Sequence, residues 1–378
     1  MSKHIEKAKI PSIDIIVVNY NSTNCLIKCL ESVLLHLNGY QTNIFVEDNE
    51  TNGSIGAVEA RFDKVRIQKN IENIGFGAAI NSALKKGESP YVVILNPDTS
   101  LPDHSLVSAI EFLEINKGIG IVGPRIYEQD GSIQGSARRF PTLLTSVFGR
   151  KSPFTKIFPN NPITKKEFLC FNCVNNKEID VDWVSGACMI VRREAIQQID
   201  GFDERFFLYW EDTDLCKRLK NAGWRVVYFP SACVVHLVGQ SSSQKPFFST
   251  LHFHRSCYYL FKKHVKPSLR MITPIVFMGL AIRALFVICL HLTNRIINHK
   301  RHTEIKKRKY ADNNCCIIKE TKKLKKNIND NEEYKIFRAG LLACLSTYAT
   351  AIIDRKNCKY EYDNTKDVVE HQEFKNRE

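Results

Sequence analysis

Apolar, β-branched segments alternate with helical patterns through the first third of the chain, and this alternation constrains the fold more than any other feature. IDIIVV, NIFVED, VRIQ and YVVIL predict strands, and STNCLIKCLESVLLHL and GFGAAINSALKKG predict helices between them. Strands separated by helices of about ten or more residues form βαβ units with right-handed crossovers and a mainly parallel sheet. We therefore expect an α/β domain with helices flanking a mainly parallel central sheet, and ligand groups at the carboxyl ends of its strands.

The pattern becomes less regular after residue 122. Residues 123–179 are rich in Pro, Asn and Gly, which is typical of loops. A strand-rich segment follows, and then a helical one, PFFSTLHFHRSCYYLFKKHV. We expect residues 13–265 to form one compact domain, near the upper size for a single core, after a short tail at residues 1–12.

The last third of the chain differs in kind. The apolar segment 271–292 is long enough to cross a bilayer at about 1.5 Å per residue, but Arg283 near its centre costs about 2.5 to 3.5 kcal/mol there. Residues 295–326 carry twelve Lys or Arg against three acidic residues, and a full span would place them against the positive-inside rule. We expect a helix at 266–294 lying in the cytoplasmic membrane interface, and a basic linker at 295–335 on anionic headgroups.

The charge of the chain points to an anionic partner. The formal net charge is +14 over 378 residues, which suits a nucleic acid, a nucleotide or a membrane surface. Most of the excess lies beside the apolar helix, without the aromatic platforms of nucleic-acid-binding modules. We therefore expect an anionic membrane surface and no nucleic acid as a partner. Residues 336–378 predict a short apolar helix and a polar tail.

The cysteines predict reduced thiols. Thirteen cysteines at irregular spacings follow an N-terminal stretch without a secretory apolar region, so we expect a cytosolic location. The CxxC pair of Cys170 and Cys173 has no second pair at zinc-finger spacing. We expect buried or loop thiols there rather than a metal site.

Five motifs occur in one order along the predicted domain: VVNYNS, ENIGFGAAIN, NPD, YWEDTD and VVHLVGQSS. With them the chain resembles glycosyltransferase family 2, inverting enzymes with the Rossmann-like GT-A fold. The closest resemblance is to the rhamnosyltransferase-like branch, which builds bacterial surface polysaccharides such as O-antigen, lipopolysaccharide and capsule. The resemblance covers residues 13–265 and is loose beyond them.

The resemblance implies a site for a nucleotide-diphosphate sugar donor. VVNYNS matches the segment that lines the base pocket, and Asp48 matches the acidic residue that ends the second strand. Gly75 and Gly77 flank a predicted helix start, where free backbone N–H groups suit a phosphate, although such a pair is also typical of a tight loop. The residues expected to contact the donor are Asn19, Asn21, Asp48, Asn73, Gly75, Phe76, Asn81 and Asn96.

Asp98 comes directly after the apolar run in VILNPDTSLP. Asn-Pro-Asp-Thr is ordinary turn chemistry, but the family carries Asp-x-Asp or Asn-Pro-Asp here as part of a cation site. A divalent cation neutralises a departing diphosphate, and Mg²⁺ or Mn²⁺ suits carboxylate and phosphate oxygens. The resemblance implies Asp98 and His236 as the metal ligands, and the loss of the first Asp implies a modest metal affinity.

YWEDTDLCKRLKNAG predicts a helix whose first turn holds Glu211, Asp212 and Asp214. The helix dipole favours acidic residues there whatever their function, and this structural role is an equal alternative for Glu211 and Asp214. Asp212 matches the family's general base, which takes a proton from an acceptor hydroxyl as that oxygen attacks the sugar. The ordinary pKa of Asp, about 4, suffices because the proton is accepted late, when the attacking oxygen has become acidic.

VDWVSGACMIVRR resembles the segment that forms the acceptor side of the cleft. An indole at Trp183 offers a flat apolar face for a sugar or lipid. Arg138 and Arg139 lie where a basic loop could meet phosphate, although surface Arg pairs are usually solvated. The residues expected to contact the acceptor are Trp183, Ser185, Gly186 and Glu211.

The resulting hypothesis is a membrane-associated, inverting, metal-dependent transferase that passes L-rhamnose from dTDP-L-rhamnose to a growing glycan, on a polyprenyl diphosphate carrier or a lipid A core. UDP-galactose and UDP-glucose stay open as donors, because spacing does not show pocket shape. A catalytically inert nucleotide-sugar-binding scaffold is the alternative from another class, and the intact Asp98, Asp212 and His236 disfavour it. The sequence leaves the oligomeric state open.

Overall fold

The computed structural model describes residues 11–50, 54–142, 168–172, 176–237 and 246–293. The chain divides into two compact units, Met1–Leu292 and Thr293–Glu378, and the fold and site described below belong to the first. Cys170 is a buried free thiol. The basic linker, the short apolar helix and the polar tail expected after residue 294 lie outside the described residues, as do residues 1–10 and Cys173.

The described residues form one large sheet, one small sheet and flanking helices. The strands are β1 (Ile13–Asn19), β2 (Thr42–Asp48), β3 (Val65–Lys69), β4 (Tyr91–Leu95), β5 (Thr99–Ser100), β6 (Ile119–Tyr127), β7 (Ala137–Arg138), β8 (Ile179–Asp180), β9 (Trp183–Val184), β10 (Cys188–Arg192) and β11 (Arg225–His236). The helices are α1 (Thr23–His36), α2 (Gly56–Glu59), α3 (Phe76–Leu84), α4 (Ser105–Ile115), α5 (Arg193–Gln198), α6 (Glu211–Asn221), α7 (Pro246–His264) and α8 (Pro267–Thr293).

The large sheet has the order β3-β2-β1-β4-β10-β6-β11-β5, and β8 also pairs with β11. β1 runs parallel to β2 and β4, β2 to β3, and β6 to β11. β10 lies antiparallel between β4 and β6, and β5 and β8 are antiparallel to β11. β11 also shifts its register against β6 between Phe229 and Cys233. The expected α/β architecture is confirmed, and the antiparallel strands lie on the far side of β4 from β1.

The central strands are buried on both faces, which explains their uninterrupted apolar runs. All residues of β1 and β4 are buried. Because side chains alternate along a strand, Ile15 packs into one apolar cluster and Ile16 into the other. Asp14 is the charged exception in β1, and its carboxylate lies 2.6 Å from the guanidinium of Arg193. A buried charge is costly unless it is paired, and Arg193 provides the opposite charge for Asp14.

Helix α8 is largely exposed. By length and composition it could cross a membrane, and it is the one such helix in the described part of the chain. Burial lowers the pKa of His254 in α7, and nearby Arg283 lowers it further. Arg283, the charged residue within the apolar segment, therefore lies close to α7. The exposed large apolar side chains of α8 are Leu269, Met271, Ile275, Phe277, Met278, Ile282, Leu285, Phe286, Leu290 and Leu292.

Candidate active site

Asp98 and His236 come together at the carboxyl edge of the sheet. Asp98 lies in the turn between β4 and β5, and His236 is the last residue of β11. The pairing of β5 with β11 places Thr99 opposite His236, and the N–H of Leu237 donates to the carbonyl oxygen of Asp98 over 2.9 Å. Oδ1 of Asp98 is consequently 3.0 Å from Nε2 of His236, and both side chains are buried.

Two amides set the orientation of the His236 ring. Oε1 of Gln134 lies 3.2 Å from Nδ1 of His236, and Nδ2 of Asn96 lies 3.3 Å from Nε2. Because an amide oxygen accepts hydrogen bonds and an amide nitrogen donates them, these two contacts favour a proton on Nδ1. With a cation bound between Nε2 and Asp98, Nε2 would present its lone pair to that cation. A ring fixed through its second nitrogen is usual for a metal-binding His. Sequence reasoning missed Gln134, since no motif marks it.

The Asp98 and His236 side chains are of types that could contribute to a site for a divalent cation. A carboxylate oxygen and an imidazole nitrogen suit Mn²⁺, whereas Mg²⁺ prefers oxygen alone. In the ranges described above, no group of three or more His, Cys, Asp or Glu side chains could hold a metal ion. The described protein residues thus offer two candidate ligands at this point, Asp98 and His236.

Asp212 lies in the first turn of α6, with its side chain partly exposed. Oδ2 accepts the backbone N–H of Gly186 over 3.1 Å, and Oδ1 accepts the N–H and the hydroxyl of Thr213 over 2.7 and 3.2 Å. Desolvation raises the pKa of Asp212, and these hydrogen bonds oppose the rise. The carboxylate is therefore fixed in orientation and still reachable from the cleft.

The short segment between β9 and β10 connects these two groups. While the N–H of Gly186 holds Asp212, the carbonyl oxygen of Ala187 accepts the N–H of Asn96 over 3.0 Å and the hydroxyl of Thr99 over 3.2 Å. Asn96 and Thr99 flank the turn that carries Asp98. Two consecutive residues therefore contact both the predicted base and the predicted metal-binding turn.

Ser185 and Gly186, predicted on the acceptor side, lie in this same segment. The hydroxyl of Ser185 accepts the N–H of Ala187 over 3.3 Å. A Cβ placed on Gly186 would lie 3.6 Å from Cβ of Asp212 and 3.7 Å from Cε1 of Phe76. Phe76, predicted on the donor side, and Asp212 thus both lie close to Gly186, so the predicted donor and acceptor sides adjoin here.

Trp183 is not the open platform that the sequence predicts. It is 7% exposed, its Nε1–H donates to the carbonyl oxygen of Arg139 over 2.9 Å, and the guanidinium of Arg138 lies 5.0 Å from its ring centroid. The prediction of an open face is wrong because β9 pairs with β7, which places the indole in the core. The ring of Trp210, 6.5 Å away, is the more exposed of the two indoles.

Arg138 lies inside the site rather than in a solvated loop. Its Nε donates to the carbonyl oxygen of Gly135 over 2.6 Å, and its guanidinium lies 4.5 Å from the ring centroid of Phe168. Desolvation raises the pKa of Asp212, whereas the charge of Arg138 lowers it. Arg138 therefore favours the ionised form of Asp212, a relationship that its sequence position does not reveal.

The chain enters α6 through two residues in the left-handed region. Tyr209 and Trp210 have φ values of 67° and 69°, which are uncommon for bulky residues and concentrate at functional sites. Glu211 follows and is 8% exposed, and its Oε2 has no hydrogen-bond partner among the described residues. Burial, followed by the adjacent charge of Asp212, raises the pKa of Glu211 to about 8.

Asp214 has a structural role: its carboxylate forms ion pairs inside the protein. Its buried carboxylate lies 2.7 Å from each of the cationic nitrogens of Arg218 and Lys263, and 2.7 Å from Nε2 of His264. Desolvation raises the pKa of Asp214, but hydrogen bonds from His264 and Lys263 outweigh it and the pKa is lowered. Since Lys263 and His264 belong to α7, these contacts tie α7 to α6.

Asn19 and Asp48 meet where β1 and β2 end. Nδ2 of Asn19 donates to Oδ1 of Asp48 over 2.8 Å. Desolvation raises the pKa of Asp48, and this hydrogen bond opposes the rise. Asn21 follows β1 with a φ of 51°. Glu50, which sequence reasoning did not single out, joins this polar group, and its Oε2 accepts the hydroxyl of Ser54 over 2.7 Å.

The start of α3 is partly closed. The N–H of Gly75 donates to Oδ1 of Asn73 over 3.0 Å, and the N–H of Phe76 donates to the carbonyl oxygen of Phe207 over 3.1 Å. Gly75 has a φ of 89°, and a Cβ on it would lie 2.7 Å from that carbonyl oxygen. Two N–H groups expected to be free for phosphate are thus occupied, that of Gly75 by the neighbouring Asn73 side chain and that of Phe76 by the loop leading to α6.

Asn81 anchors the loop after α5 instead of presenting its amide to the cleft. Nδ2 donates to the carbonyl oxygen of Phe202 over 2.9 Å and to Oε1 of Glu204 over 3.0 Å, and Oδ1 accepts the N–H of Phe202 over 2.8 Å. The loop approaches so closely that a Cβ on Gly201 would lie 2.4 Å from Oδ1. The donor contact implied for Asn81 therefore competes with contacts that its amide already makes within the protein.

Comparison with known proteins identifies relatives of this chain. Residues 11–252 match the family model described as glycosyltransferase like family 2. The N-acetylglucosaminyl-diphospho-decaprenol L-rhamnosyltransferase of Mycobacterium tuberculosis, in two strains, is 32% identical over 265 residues, which cover 66% of this chain and 84% of that protein. Rhamnosyltransferase WbbL of Escherichia coli is 28% identical over 195 residues, 50% of this chain and 68% of that protein.

A solved structure was also matched, at lower identity. The mannosyltransferase PcManGT from Pyrobaculum calidifontis, in complex with GDP-Man and Mn²⁺, is 18% identical with a TM-score of 0.46, over 76% of this chain and 80% of that one.

The class defined by the fold and the matched segment is that of the glycosyltransferases. Because the family model covers more than half of the chain, the chain belongs to glycosyltransferase family 2, in its rhamnosyltransferase-like branch.

Proposed function

We propose that this glycosyltransferase transfers L-rhamnose from dTDP-L-rhamnose to a lipid-linked or growing glycan in the synthesis of a cell-surface polysaccharide, with inversion at the anomeric carbon. The observation that carries the proposal is the contact of Gly186 and Ala187 with both Asp212 and the turn holding Asp98. Two relatives whose names specify rhamnosyl transfer support the donor. A diphospho-decaprenol in one of those names supports a polyprenyl-diphosphate-linked acceptor.

Asp212 acts as the general base in this proposal. The acceptor hydroxyl gives its proton to Asp212 while its oxygen forms the bond to the anomeric carbon, and the bond from that carbon to the diphosphate oxygen breaks. A single displacement of this kind inverts the anomeric centre. The hydrogen bonds from Gly186 and Thr213 orient the carboxylate, and the charge of Arg138 favours its ionised form.

Asp98 and Nε2 of His236 would hold Mg²⁺ or Mn²⁺, with phosphate oxygens and water as the other ligands. When bound, the cation supplies positive charge that stabilises the diphosphate leaving group. Gln134 keeps the His236 ring in one orientation through Nδ1. Asn96, from the same turn as Asp98, lies beside Nε2 and completes the polar surroundings of the pair.

The exposed apolar side of α8 supports a location at the cytoplasmic face of the membrane. An apolar helix face next to a run of cations binds anionic membranes through buried area and electrostatic attraction together. Residues 295–326, with twelve Lys or Arg and three acidic residues, provide those cations. A lipid-linked acceptor would then be met at the surface where the enzyme resides.

The donor is tested with purified full-length protein and its Asp212→Asn variant. Binding of dTDP-L-rhamnose, UDP-galactose and UDP-glucose is measured by calorimetry with Mn²⁺ or Mg²⁺, and sugar release by product analysis. We expect dTDP-L-rhamnose to bind both proteins, and the variant to turn it over about 10² to 10⁴ times more slowly. Preferential binding of a UDP-hexose would replace the proposed donor, and binding of no donor with either metal would contradict a transferase.

The membrane location is tested by flotation with vesicles. The full chain should float with anionic vesicles at low salt, less at high salt, and Leu285→Glu should weaken flotation because it places a charge on the exposed apolar side of α8. Ile71→Glu is the matched control, since Ile71 is 99% exposed on another part of the surface. Equal flotation of all three proteins, or none of the wild type, would contradict the proposal.

A further inference from the structure

Glu211 is the neighbour of the proposed base Asp212 and has no role in the proposed transfer step. The two carboxyl groups are consecutive at the start of α6, yet they are treated differently. The Asp212 carboxylate accepts three hydrogen bonds, from Gly186 and Thr213. Oε2 of Glu211 is buried and accepts none from any residue that the structure describes, although the residue is only 8% exposed.

The charges around the pair are also unequal. Desolvation raises the pKa of Asp212, and the charge of Arg138 lowers it. Asp214, the next carboxylate in α6, is matched by three basic groups of its own. Burial together with the charge of Asp212 disfavours a second anion and raises the pKa of Glu211 to about 8. The missing hydrogen bonds and the neighbouring charges therefore both indicate that Glu211, rather than Asp212, holds the proton at neutral pH.

A second unpartnered polar atom lies one residue earlier. The Nε1–H of Trp210 is buried with no hydrogen-bond partner among the described residues. Buried polar groups are almost always paired, and these two unpartnered atoms stand on consecutive residues next to the predicted base, so they are candidates to pair with a bound ligand. A sugar, which presents several oxygens at close spacing, is a ligand of suitable chemistry.

We propose that Glu211 works as a neutral carboxylic acid that donates its O–H to an oxygen of the acceptor sugar, and so positions the attacking hydroxyl against Asp212. The inference rests on the proposed function, since it takes Asp212 as the base. A neutral group suits this position because a second carboxylate would compete with Asp212 for the same hydroxyl proton. Glu211 is thus a positioning residue, and Trp210 contributes its Nε1–H to the same sugar.

The test compares Glu211→Gln, Glu211→Ala and Asp212→Asn in the full chain. Gln keeps the size, the neutrality and a hydrogen-bond donor, so transfer should stay within a few fold of the wild type near pH 7. Ala removes the donor and should lower kcat/KM about tenfold, the effect of one hydrogen bond. The wild type should lose activity as the pH rises through about 8, and Glu211→Gln should not. Thermal unfolding of each variant shows that it is folded.

Two results would overturn the inference while leaving the transferase intact. One is a loss in Glu211→Gln as deep as that in Asp212→Asn, which would make Glu211 an anion in the reaction. The other is an unchanged alkaline limb in Glu211→Gln. Infrared difference spectroscopy tests the charge state without turnover, and we expect a protonated-carboxyl band that titrates in the wild type and is missing in Glu211→Gln. Absence of this band from the wild type would contradict the neutral acid directly, whereas failure to transfer any sugar would contradict the proposed function.

Discussion

The backbone N–H of Gly186 donates to Oδ2 of Asp212 over 3.1 Å. The next residue, Ala187, accepts the N–H of Asn96 through its carbonyl oxygen. Because both contacts use main-chain atoms, side-chain substitutions in this segment leave the donor and acceptor groups in place. The separation between the proposed base and the Asp98 turn is therefore set by the backbone between β9 and β10.

Removing either proposed metal ligand should abolish divalent-dependent donor binding. Asp98→Ala removes the carboxylate and His236→Ala the imidazole, while Gln134→Leu removes only the group that orients the ring and should weaken Mn²⁺ binding by about 10- to 100-fold. Mn²⁺ titration followed by electron paramagnetic resonance, with dTDP present, measures each affinity. His104→Ala is the control, because His104 is exposed and contacts the carbonyl of His36. Unchanged Mn²⁺-dependent binding in Asp98→Ala would rule out this metal site.

Gly75→Ala should destabilise the protein more than Gly39→Ala. Both glycines have a positive φ, 89° and 91°, so each substitution carries a conformational penalty of about 1 to 2 kcal/mol. A Cβ on Gly39 meets nothing within 4 Å, whereas one on Gly75 would lie 2.7 Å from the carbonyl oxygen of Phe207. Urea unfolding measures both free energies. Equal losses of unfolding free energy in the two variants would show that the loop holding Phe207 moves aside at no energetic cost.

Asn81→Ala should lower stability while leaving donor affinity nearly unchanged. The substitution leaves the N–H and carbonyl of Phe202 without their partner, and each buried unpaired group costs about 1 to 3 kcal/mol. Chemical unfolding gives the stability, and calorimetry below the unfolding transition gives the donor Kd. A large loss of donor affinity in a stably folded variant would restore the donor contact that the family resemblance implies.

The stability of the protein should fall between pH 4.5 and about 8 through Glu211. The pKa of this carboxyl is raised from 4.5 to about 8 by folding, so the folded state binds the proton more tightly than the unfolded chain. The stabilisation is complete below pH 4.5 and is lost as the pH rises through about 8. Urea unfolding across this range should give a smaller slope for Glu211→Gln than for the wild type, and parallel curves would contradict the shift.

The apolar runs correctly predicted the central strands near the start of the chain. A strand that is buried on both faces is apolar at nearly every position, so it is easy to recognise in a sequence. The predicted strands in IDIIVV and YVVIL became Ile13–Asn19 and Tyr91–Leu95. The antiparallel course of β10 left no such signal, since a buried antiparallel strand and a buried parallel strand have the same composition. The direction of a strand depends on the end of the sheet at which the chain enters it. The local sequence of residues 123–179 does not predict that end for β10.

The site was predictable where a motif carries the chemistry and unpredictable where partners come from distant residues. The sequence placed His236 at a strand end, and the structure brings it to Asp98. It did not reveal Gln134 behind that ring, because a single Gln in a loop matches no pattern. The sequence predicts Trp183 as a flat apolar face for a sugar or lipid, and only the pairing of β9 with β7 shows that its ring is buried.

The register shift in β11 makes the position of His236 tolerant of changes in chain length at one place in the strand. Phe229 and Cys233 pair with the consecutive residues Pro124 and Arg125, so the three residues 230, 231 and 232 have no partner in β6. A bulge accommodates extra residues on one strand without changing the pairing on either side of it. A deletion within 230–232 can therefore leave Cys233 opposite Arg125, whereas a one-residue deletion after Cys233 would turn the following side chains to the opposite face. Functional length variants of this strand should therefore differ from it within residues 230–232.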